Sequence, residues 1–313
     1  MKILVTGCAG FIGINFTKYL LENYPTDSLV GVDCLTYAAN TEELAKLFLC
    51  DSFTFYKEDI SDAAAIDKIF SLEKPDVVIN FAAESHVDRS FGDPELFFKT
   101  NVQGTEVLLG ASLRHGVGRY HQISTDEVYG EMPIDSKARF TEDSPLAPTS
   151  PYSKSKAEAD RLVLAYRERG LRASISRSTN NFGKFQHTEK LIPMTVSKLI
   201  SGESVPIYGD GRNMRDWLFV IDHCRAVDII IRAGKCEIYN ISAENEWSNI
   251  DLVKKIMSLS GIPDGKLAFV KDRPNHDRRY PVDSSKIRSL GWQPEGKFGE
   301  RLRETVEWYR GRK

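Results

Sequence analysis

The chain has 313 residues, with 42 Lys and Arg against 44 Asp and Glu, a net charge of −2. At about 150 residues per domain this allows two domains or one large α/β body, and so balanced a charge argues against a dedicated nucleic-acid binder, which carries a basic excess. No run of about 18 apolar residues occurs, so no membrane span is expected, and the opening MKILVTG enters a strand-like run in place of a signal-peptide core, which predicts a cytoplasmic protein.

Short apolar runs at 3–6, 29–33, 53–56, 77–82, 119–125 and 173–177 alternate with helical patterns near 11–23, 62–72, 94–115 and 152–169. Strands alternating with helices predict βαβ units in a parallel sheet. The runs are almost wholly apolar, as in a sheet covered on both faces. The fold class expected is therefore α/β, a Rossmann-type doubly wound parallel sheet.

Beyond about residue 180 Gly and Pro multiply, as in Ile192-Pro193, Val205-Pro206, Tyr208-Gly209-Asp210-Gly211 and Arg273-Pro274. Helical patterns return near 188–201, 222–233, 248–260 and 298–310. We assign residues 1–180, with about 221–244, to the sheet unit. About 181–220 and 245–313 form a smaller mixed α/β lobe, closing on the carboxyl ends of the strands. The five cysteines are odd in number and include no CxxC pair, so they read as reduced thiols; no metal site is expected.

Gly7-Cys8-Ala9-Gly10-Phe11-Ile12-Gly13 follows a strand and opens a helix. Such a turn brings backbone N–H groups and a helix N-terminus against a pyrophosphate. Asp33 ends the second strand-like run, where an acidic residue accepts hydrogen bonds from ribose hydroxyls. No Arg among residues 34–36 meets a 2′-phosphate, so NAD is expected rather than NADP. Asp59 and Ile60 either border the adenine or, for Asp59, cap a helix. Ala82 and Ala83 end the fourth run, where small residues either admit a cofactor or only pack.

Tyr152 and Lys156 stand four apart on a helix beginning after Pro151, hence on one face. The ammonium, together with a nicotinamide, is expected to favour the phenolate, which removes a hydroxyl proton as hydride leaves. The fifth run ends Ser124-Thr125-Asp126-Glu127-Val128-Tyr129-Gly130. Two adjacent carboxylates at a strand end suit acid and base work with divergent pKa values, or one of them caps a turn.

These segments carry a resemblance. With Phe81 to Ser90, Asn180-Asn181, Glu189 to Pro193, Arg215-Asp216-Trp217, Asp277 to Tyr280 and Thr305 to Tyr309, the chain resembles the dTDP-glucose 4,6-dehydratases. These are nucleotide-sugar enzymes of the extended short-chain dehydrogenase/reductase superfamily. Ser124 to Gly130 is the specific part, since related 4-epimerases lack the Asp-Glu pair. The resemblance implies a tightly bound, recycled NAD. It implies that Tyr152, aided by Thr125 and Lys156, deprotonates the C4 hydroxyl, that Glu127 removes the C5 proton, and that Asp126 protonates the departing C6 hydroxyl. It places Asn180, Lys190, Leu191 and Arg215 along the substrate diphosphate and base, Pro206, Tyr208, Asn249 and His276 nearby, and Glu84, Ser85 and His86 at the sugar. Arg215 suits bidentate phosphate contact or pairs with Asp216, and His276 is a ligand or a surface residue. A homodimer built on helices near 100–115 and 152–169 is also implied, or their apolar residues only cover the sheet.

The departures lie at 182–188, where Phe182-Gly183-Lys184-Phe185-Gln186-His187-Thr188 stands. The family has tyrosine at 182, proline at 184 and an aromatic-proline pair near 187–188. Loss of two prolines is expected to free this loop, with Lys184 and His187 adding polarity to the site. That leaves a second reading, a dehydratase of a UDP-linked hexose or N-acetylhexosamine, and a remote third, a catalytically silent sugar-nucleotide-binding module.

Overall fold

The unbroken apolar runs of the first half become strands sealed on both faces. The computed structural model describes residues 1–272 and 275–311; the Arg273-Pro274 pair and the last two residues of the expected lobe lie outside them. In chain order come β1 (Lys2–Thr6), α1 (Phe11–Asn23), β2 (Ser28–Val32), α2 (Thr41–Leu47), β3 (Phe53–Tyr56), α3 (Ala63–Glu73) and β4 (Val77–Asn80). There follow α4 (Val87–Gly92), α5 (Pro94–Phe98), a π-helical turn (Lys99–Gln103), α6 (Gly104–Arg114), β5 (Arg119–Thr125), a 3-10 turn (Asp126–Tyr129), α7 (Pro151–Glu168) and β6 (Ala173–Ser178). Then come β7 (Asn180–Phe182), α8 (Leu191–Ile200), β8 (Val205–Tyr208), β9 (Met214–Phe219), α9 (Val220–Ala233) and β10 (Ile238–Ile241). The chain closes with β11 (Glu246–Ser248), α10 (Asn249–Leu259), β12 (Leu267–Val270), α11 (Ser285–Arg288) and α12 (Phe298–Gly311).

The main sheet has the order β10-β6-β5-β4-β1-β2-β3, and every pairing in it is parallel. This is the doubly wound arrangement expected from the alternating pattern. Strand order reverses between β1 and β4, so a crevice opens at their carboxyl ends, where such sheets bind ligands. One face is covered by α1 and α9 through Ile14, Phe16, Leu20, Val220, Val227 and Ile231. The other is covered by α3, α6 and α7 through Ile66, Phe70, Leu108, Leu109, Val163 and Tyr166.

After β6 the chain leaves the sheet for a three-stranded layer, β11-β9-β7, in which β7 runs parallel and β11 antiparallel to β9. Phe182, Ile192, Val196, Trp217, Leu252 and Val306 are among the residues of a core between this layer and α8, α10 and α12. The chain returns once to the main sheet, where β10 pairs with β6, and then finishes beside the smaller layer.

The single helix expected over 94–115 is interrupted. The π-helical turn separates α5 from α6 and gives Asn101 a buried place from which it clamps the backbone of Glu84. Asn101 Nδ2 donates to Glu84 O at 3.0 Å and its Oδ1 accepts from Glu84 N at 2.9 Å. Single π turns inside α-helices recur at functional sites.

Candidate active site

The glycine turn depends on two of its glycines for its shape. Gly7 has φ +64°, and a Cβ there would lie 2.6 Å from Ala82 N. A Cβ on Gly13 would lie 2.0 Å from Gly7 O, so α1 packs against the turn only without a side chain. Gly10 meets only Gly7 O, at 3.2 Å, and its missing side chain leaves room for a ligand against the backbone. Cys8 is fully buried in the core; a Cβ on Gly31 would lie 2.7 Å from its sulfur, so Gly31 makes the space that Cys8 fills.

One cavity of about 390 Å3 runs from this turn to the end of β5. It is lined by every residue expected to hold a dinucleotide: Gly7, Gly10, Phe11, Ile12, Gly13, Asp33, Asp59, Ile60, Ala82, Ala83, Tyr152 and Lys156. Asp33 Oδ2 accepts from Ala9 N at 2.9 Å and Oδ1 from Leu35 N at 2.8 Å. The carboxylate thus braces the turn and keeps further lone pairs for a ligand. Asp59 accepts from Ser61 and Lys99, while the cap of α3 is Asp62.

Thr125, Asp126 and Glu127 reach the same cavity. Thr125 caps the 3-10 turn, accepting from Glu127 N at 3.3 Å, and donates to Asp126 Oδ1 at 3.2 Å. The turn is fastened from behind. Arg177 Nε donates to Asp160 Oδ2 at 2.9 Å, and its NH1 donates to the Tyr129 hydroxyl at 2.8 Å. Both charges are almost fully buried, at 2% and 0% side-chain exposure. Removing one partner of a buried pair leaves the other uncompensated. Asp160→Ala is therefore expected to destabilise the chain by about 3–5 kcal/mol, read as a lowered thermal midpoint.

α7 begins with Pro151 behind a Ser150/Ser153 capping box, which fixes where its first turn places Tyr152. Tyr152 hydrogen-bonds Thr125, but its phenol is pushed far up by burial and then by the Glu127 charge. The phenolate expected beside Lys156 is therefore not favoured by the chain alone. Lys156 is brought down to about 8 by burial, against the opposing effect of Asp160, and its ammonium donates to Ile123 O at 2.6 Å. Asp126 is held well above the ordinary carboxyl range by burial, with the Glu127 charge next.

Several buried oxygens in this cavity lack a partner among the described residues: Ser124 Oγ, Asp126 Oδ2, Thr179 Oγ1 and Asn180 Oδ1. Unsatisfied polar atoms are costly unless a ligand meets them. Together with the open Gly10 cradle, they fit a dinucleotide with a second polar ligand beside it.

Among the residues expected to hold a nucleotide sugar, Glu84, Ser85, Asn180 and Lys190 line the cavity, with Lys190 Nζ donating to Ser85 O at 3.0 Å. The others lie outside that lining. His86 caps α4 and stands 3.5 Å from Glu189. Leu191 packs against the lobe core, Pro206 and Tyr208 lie on β8, and Asn249 opens α10. His276 Nδ1 is 2.6 Å from Asp272. Arg215 is turned to the carbonyls of Met214, Asp277 and Arg278 and stacks on Tyr280. Asp216 bonds instead to Ser242, Glu244 N and Asn245 N, so the Arg215–Asp216 pair does not form.

The 182–188 loop is tied down rather than freed. Asn15 Nδ2 donates to Lys184 O at 3.0 Å, and the Tyr309 hydroxyl reaches Gln186 O at 2.6 Å and Gly183 O at 3.3 Å. Lys184 pairs with Glu304 on α12 at 2.8 Å and adds nothing to the cavity, whereas His187 does line it. Tyr37, Thr100, Thr179 and Gln186 also line it and had no sequence signal of their own, since each arrives through a loop or the π turn.

The family model for GDP-mannose 4,6 dehydratase matches residues 4–305. The low-salt glycan biosynthesis protein Agl12 of Haloferax volcanii is 48% identical over 313 residues, covering 99% of each chain. The dTDP-glucose 4,6-dehydratase 1 of Escherichia coli K12 is 45% identical, covering 99% of this chain and 92% of that one. The crystal structure of DesIV, a dTDP-glucose 4,6-dehydratase of Streptomyces venezuelae with NAD bound, superposes with a TM-score of 0.95. It is 42% identical over 99% of this chain and 97% of that one.

Proposed function

The chain belongs to the nucleotide-sugar dehydratase family described by the GDP-mannose 4,6 dehydratase model, and on that premise we propose that it is an NAD-dependent dTDP-glucose 4,6-dehydratase yielding dTDP-4-keto-6-deoxyglucose. The observation that carries this is the meeting of Asp126 and Glu127 with Tyr152 and the glycine turn in one cavity. Full-length relatives with that activity support the substrate.

The chemistry NAD supplies when bound is hydride acceptance at C4 and its return at C6. The glycine turn and Asp33 hold the cofactor; Lys156 stands beside Tyr152. Tyr152, hydrogen-bonded by Thr125, takes the proton of the C4 hydroxyl as a phenolate, the form that the Lys156 ammonium together with the positive nicotinamide would favour once the cofactor is bound. A ketone at C4 acidifies the C5 hydrogen, and Glu127 removes it as a proton. Asp126, whose carboxyl burial holds well above the ordinary range, gives its proton to the C6 hydroxyl, which leaves as water; once C6 has regained its hydride, Glu127 returns the proton to C5. Glu84, Ser85, Asn180 and Lys190 orient the nucleotide sugar.

The test is incubation with dTDP-glucose without added NADH, followed by mass spectrometry and NMR. The expected product has lost one water and carries a C4 ketone. No turnover of dTDP-, UDP-, GDP- or CDP-hexoses overturns the dehydratase reading. His187 in the cavity wall, within the departing loop, favours including UDP-hexoses and UDP-N-acetylhexosamines in the panel, and a preference for one of them replaces dTDP-glucose as substrate.

We further take residues 1–180 with about 221–244 as the cofactor unit and the remainder as the nucleotide-sugar lobe, supported by the return of β10 to β6. A homodimer through α6 and α7 is supported by Phe91 and Phe98, which are 37% and 49% exposed on helices that pack against α7; sedimentation tests it. A cytoplasmic site of action accords with five cysteines that are all unpaired. Among the described residues no helix is long and apolar enough to cross a membrane.

A further inference from the structure

Phe185 is a bulky aromatic residue in the left-handed region, with φ +72°. Such residues adopt it only where their surroundings over-determine the backbone, and these positions cluster at functional sites. Several of the contacts that hold it lie outside the cavity. The Phe185 ring is 9% exposed, meets Trp308 edge-on at 5.1 Å and lies under the Lys18 ammonium at 4.9 Å. The carbonyls on either side of it are held by Asn15 from α1 and by Tyr309 from α12.

The next residue, Gln186, stands in the wall between the cavity that carries Tyr152 and Lys156 and a smaller one beside Phe185 and Tyr309. Gln186 Nε2 donates to Asn181 O at 2.9 Å, which engages one of its two N–H groups and orients the amide. Its Oε1 is buried with no partner among the described residues, and Gln186 lines the cavity that carries Tyr152 and Lys156. An amide oxygen held there can do one thing for a ligand, accept a hydrogen bond. The backbone strain and the unmet acceptor are independent observations that point to the same side chain.

We infer that Gln186 is a specificity-determining residue whose Oε1 accepts a hydrogen bond from a hydroxyl or amide N–H of the ligand bound in this cavity, and that Phe185, Trp308 and Tyr309 are the positioning residues that aim it. The inference rests on the dehydratase reading above and deepens it. In this chain the loop's orientation comes from packing against α12 in place of proline rigidity, and α12 thereby acts on the site without touching substrate.

The test compares Gln186→Leu and Tyr309→Phe with the unaltered enzyme. Loss of one neutral hydrogen bond corresponds to about 3- to 10-fold. Gln186→Leu is expected to raise the KM for dTDP-glucose, or to speed loss of NAD on gel filtration, by that factor, beside any small fall in the thermal midpoint from the lost bond to Asn181 O. A shift in KM assigns the donor to the nucleotide sugar; a shift in NAD retention assigns it to the cofactor. Tyr309→Phe keeps the ring and loses the carbonyl clamp, and is expected to shift the same parameter in the same direction by a smaller factor. If both parameters stay within about twofold in a folded, active Gln186→Leu enzyme, the inference is overturned while the dehydratase reading stands. A lowered thermal midpoint with KM and NAD retention unmoved overturns it equally, as does a Tyr309→Phe enzyme unchanged in both parameters if Gln186→Leu does not fold. An unaltered enzyme that turns over no nucleotide sugar refutes the function itself.

Discussion

Glu127→Gln is expected to lower turnover of dTDP-glucose by about 10²–10⁴-fold, the range for loss of a positioned base, while leaving the first oxidation intact. The substitution is nearly isosteric, and it removes the charge that, after burial, contributes most to raising the Tyr152 phenol. Proton removal by Tyr152 is therefore no harder in the variant, and oxidation at C4 proceeds with nothing to take the C5 hydrogen. A single-turnover experiment with stoichiometric enzyme should show a stable rise in nicotinamide absorbance that fails to decay. In deuterated water the sugar should gain no label at C5. Asp126→Asn gives the contrasting pattern, because its carboxyl is the acid and not the base: C5 exchange persists and water loss fails. Turnover above a tenth of the unaltered rate in Glu127→Gln would place the base elsewhere. Its physical premise is the environment of the two carboxyls. They are neighbours in sequence, yet Asp126 is 2% exposed, with its carboxyl pushed well above the ordinary range by burial, while Glu127 is only partly buried.

What could be read beforehand was whatever depends on short spacing. The strands were legible because a sheet covered twice shows runs of apolar residues, and β5 and β3 fall where those runs lie. The glycine turn and the Tyr152/Lys156 pair are local patterns, and the structure brings both to one cavity. The parts that escaped depend on contacts between distant segments. Nothing in the 94–115 pattern announces a π turn, because the bonds that accompany it, from buried Asn101 to Glu84 and Ser155, join segments far apart in sequence. Arg215 looks like a phosphate ligand by type, but carbonyls more than 60 residues away occupy its guanidinium. The loop at 182–188 looks loosened because its missing prolines are visible, whereas Asn15 and Tyr309, which replace their effect, come from the two ends of the chain. The high pKa of the Tyr152 phenol in the ligand-free chain escaped for a related reason. Adjacency to Lys156 on a helix face is visible in sequence; the burial that outweighs it is not.

That burial leads to the second large effect. Lys156→Met is expected to abolish measurable turnover, by at least about 10²-fold, and to stabilise the ligand-free chain. The ammonium is 4% exposed, and its pKa falls from 10.5 to about 8 on folding. A lowered pKa in a basic group means that the folded chain disfavours the charged form. Below about pH 8 both the folded and the unfolded chain carry the charge, so the full cost applies; between 8 and 10.5 it fades; above 10.5 it is gone. At pH 7 the relief is about 3 kcal/mol, or a rise of roughly 5 °C in the thermal midpoint. The lost bond to Ile123 O is partly covered, because Gln122 Nε2 also donates to that carbonyl at 3.3 Å. Thermal melts of the two ligand-free proteins at pH 7 and at pH 10.5 test this directly. The stabilisation should be large at the lower pH and shrink towards zero at the higher. A variant less stable at pH 7 would mean that Lys156 is held by favourable contacts rather than carried at a cost for its work beside Tyr152. The stabilised and inactive outcome would identify the strained ammonium as a feature kept for catalysis, since sites that need a charge in a dry place sacrifice stability to hold it.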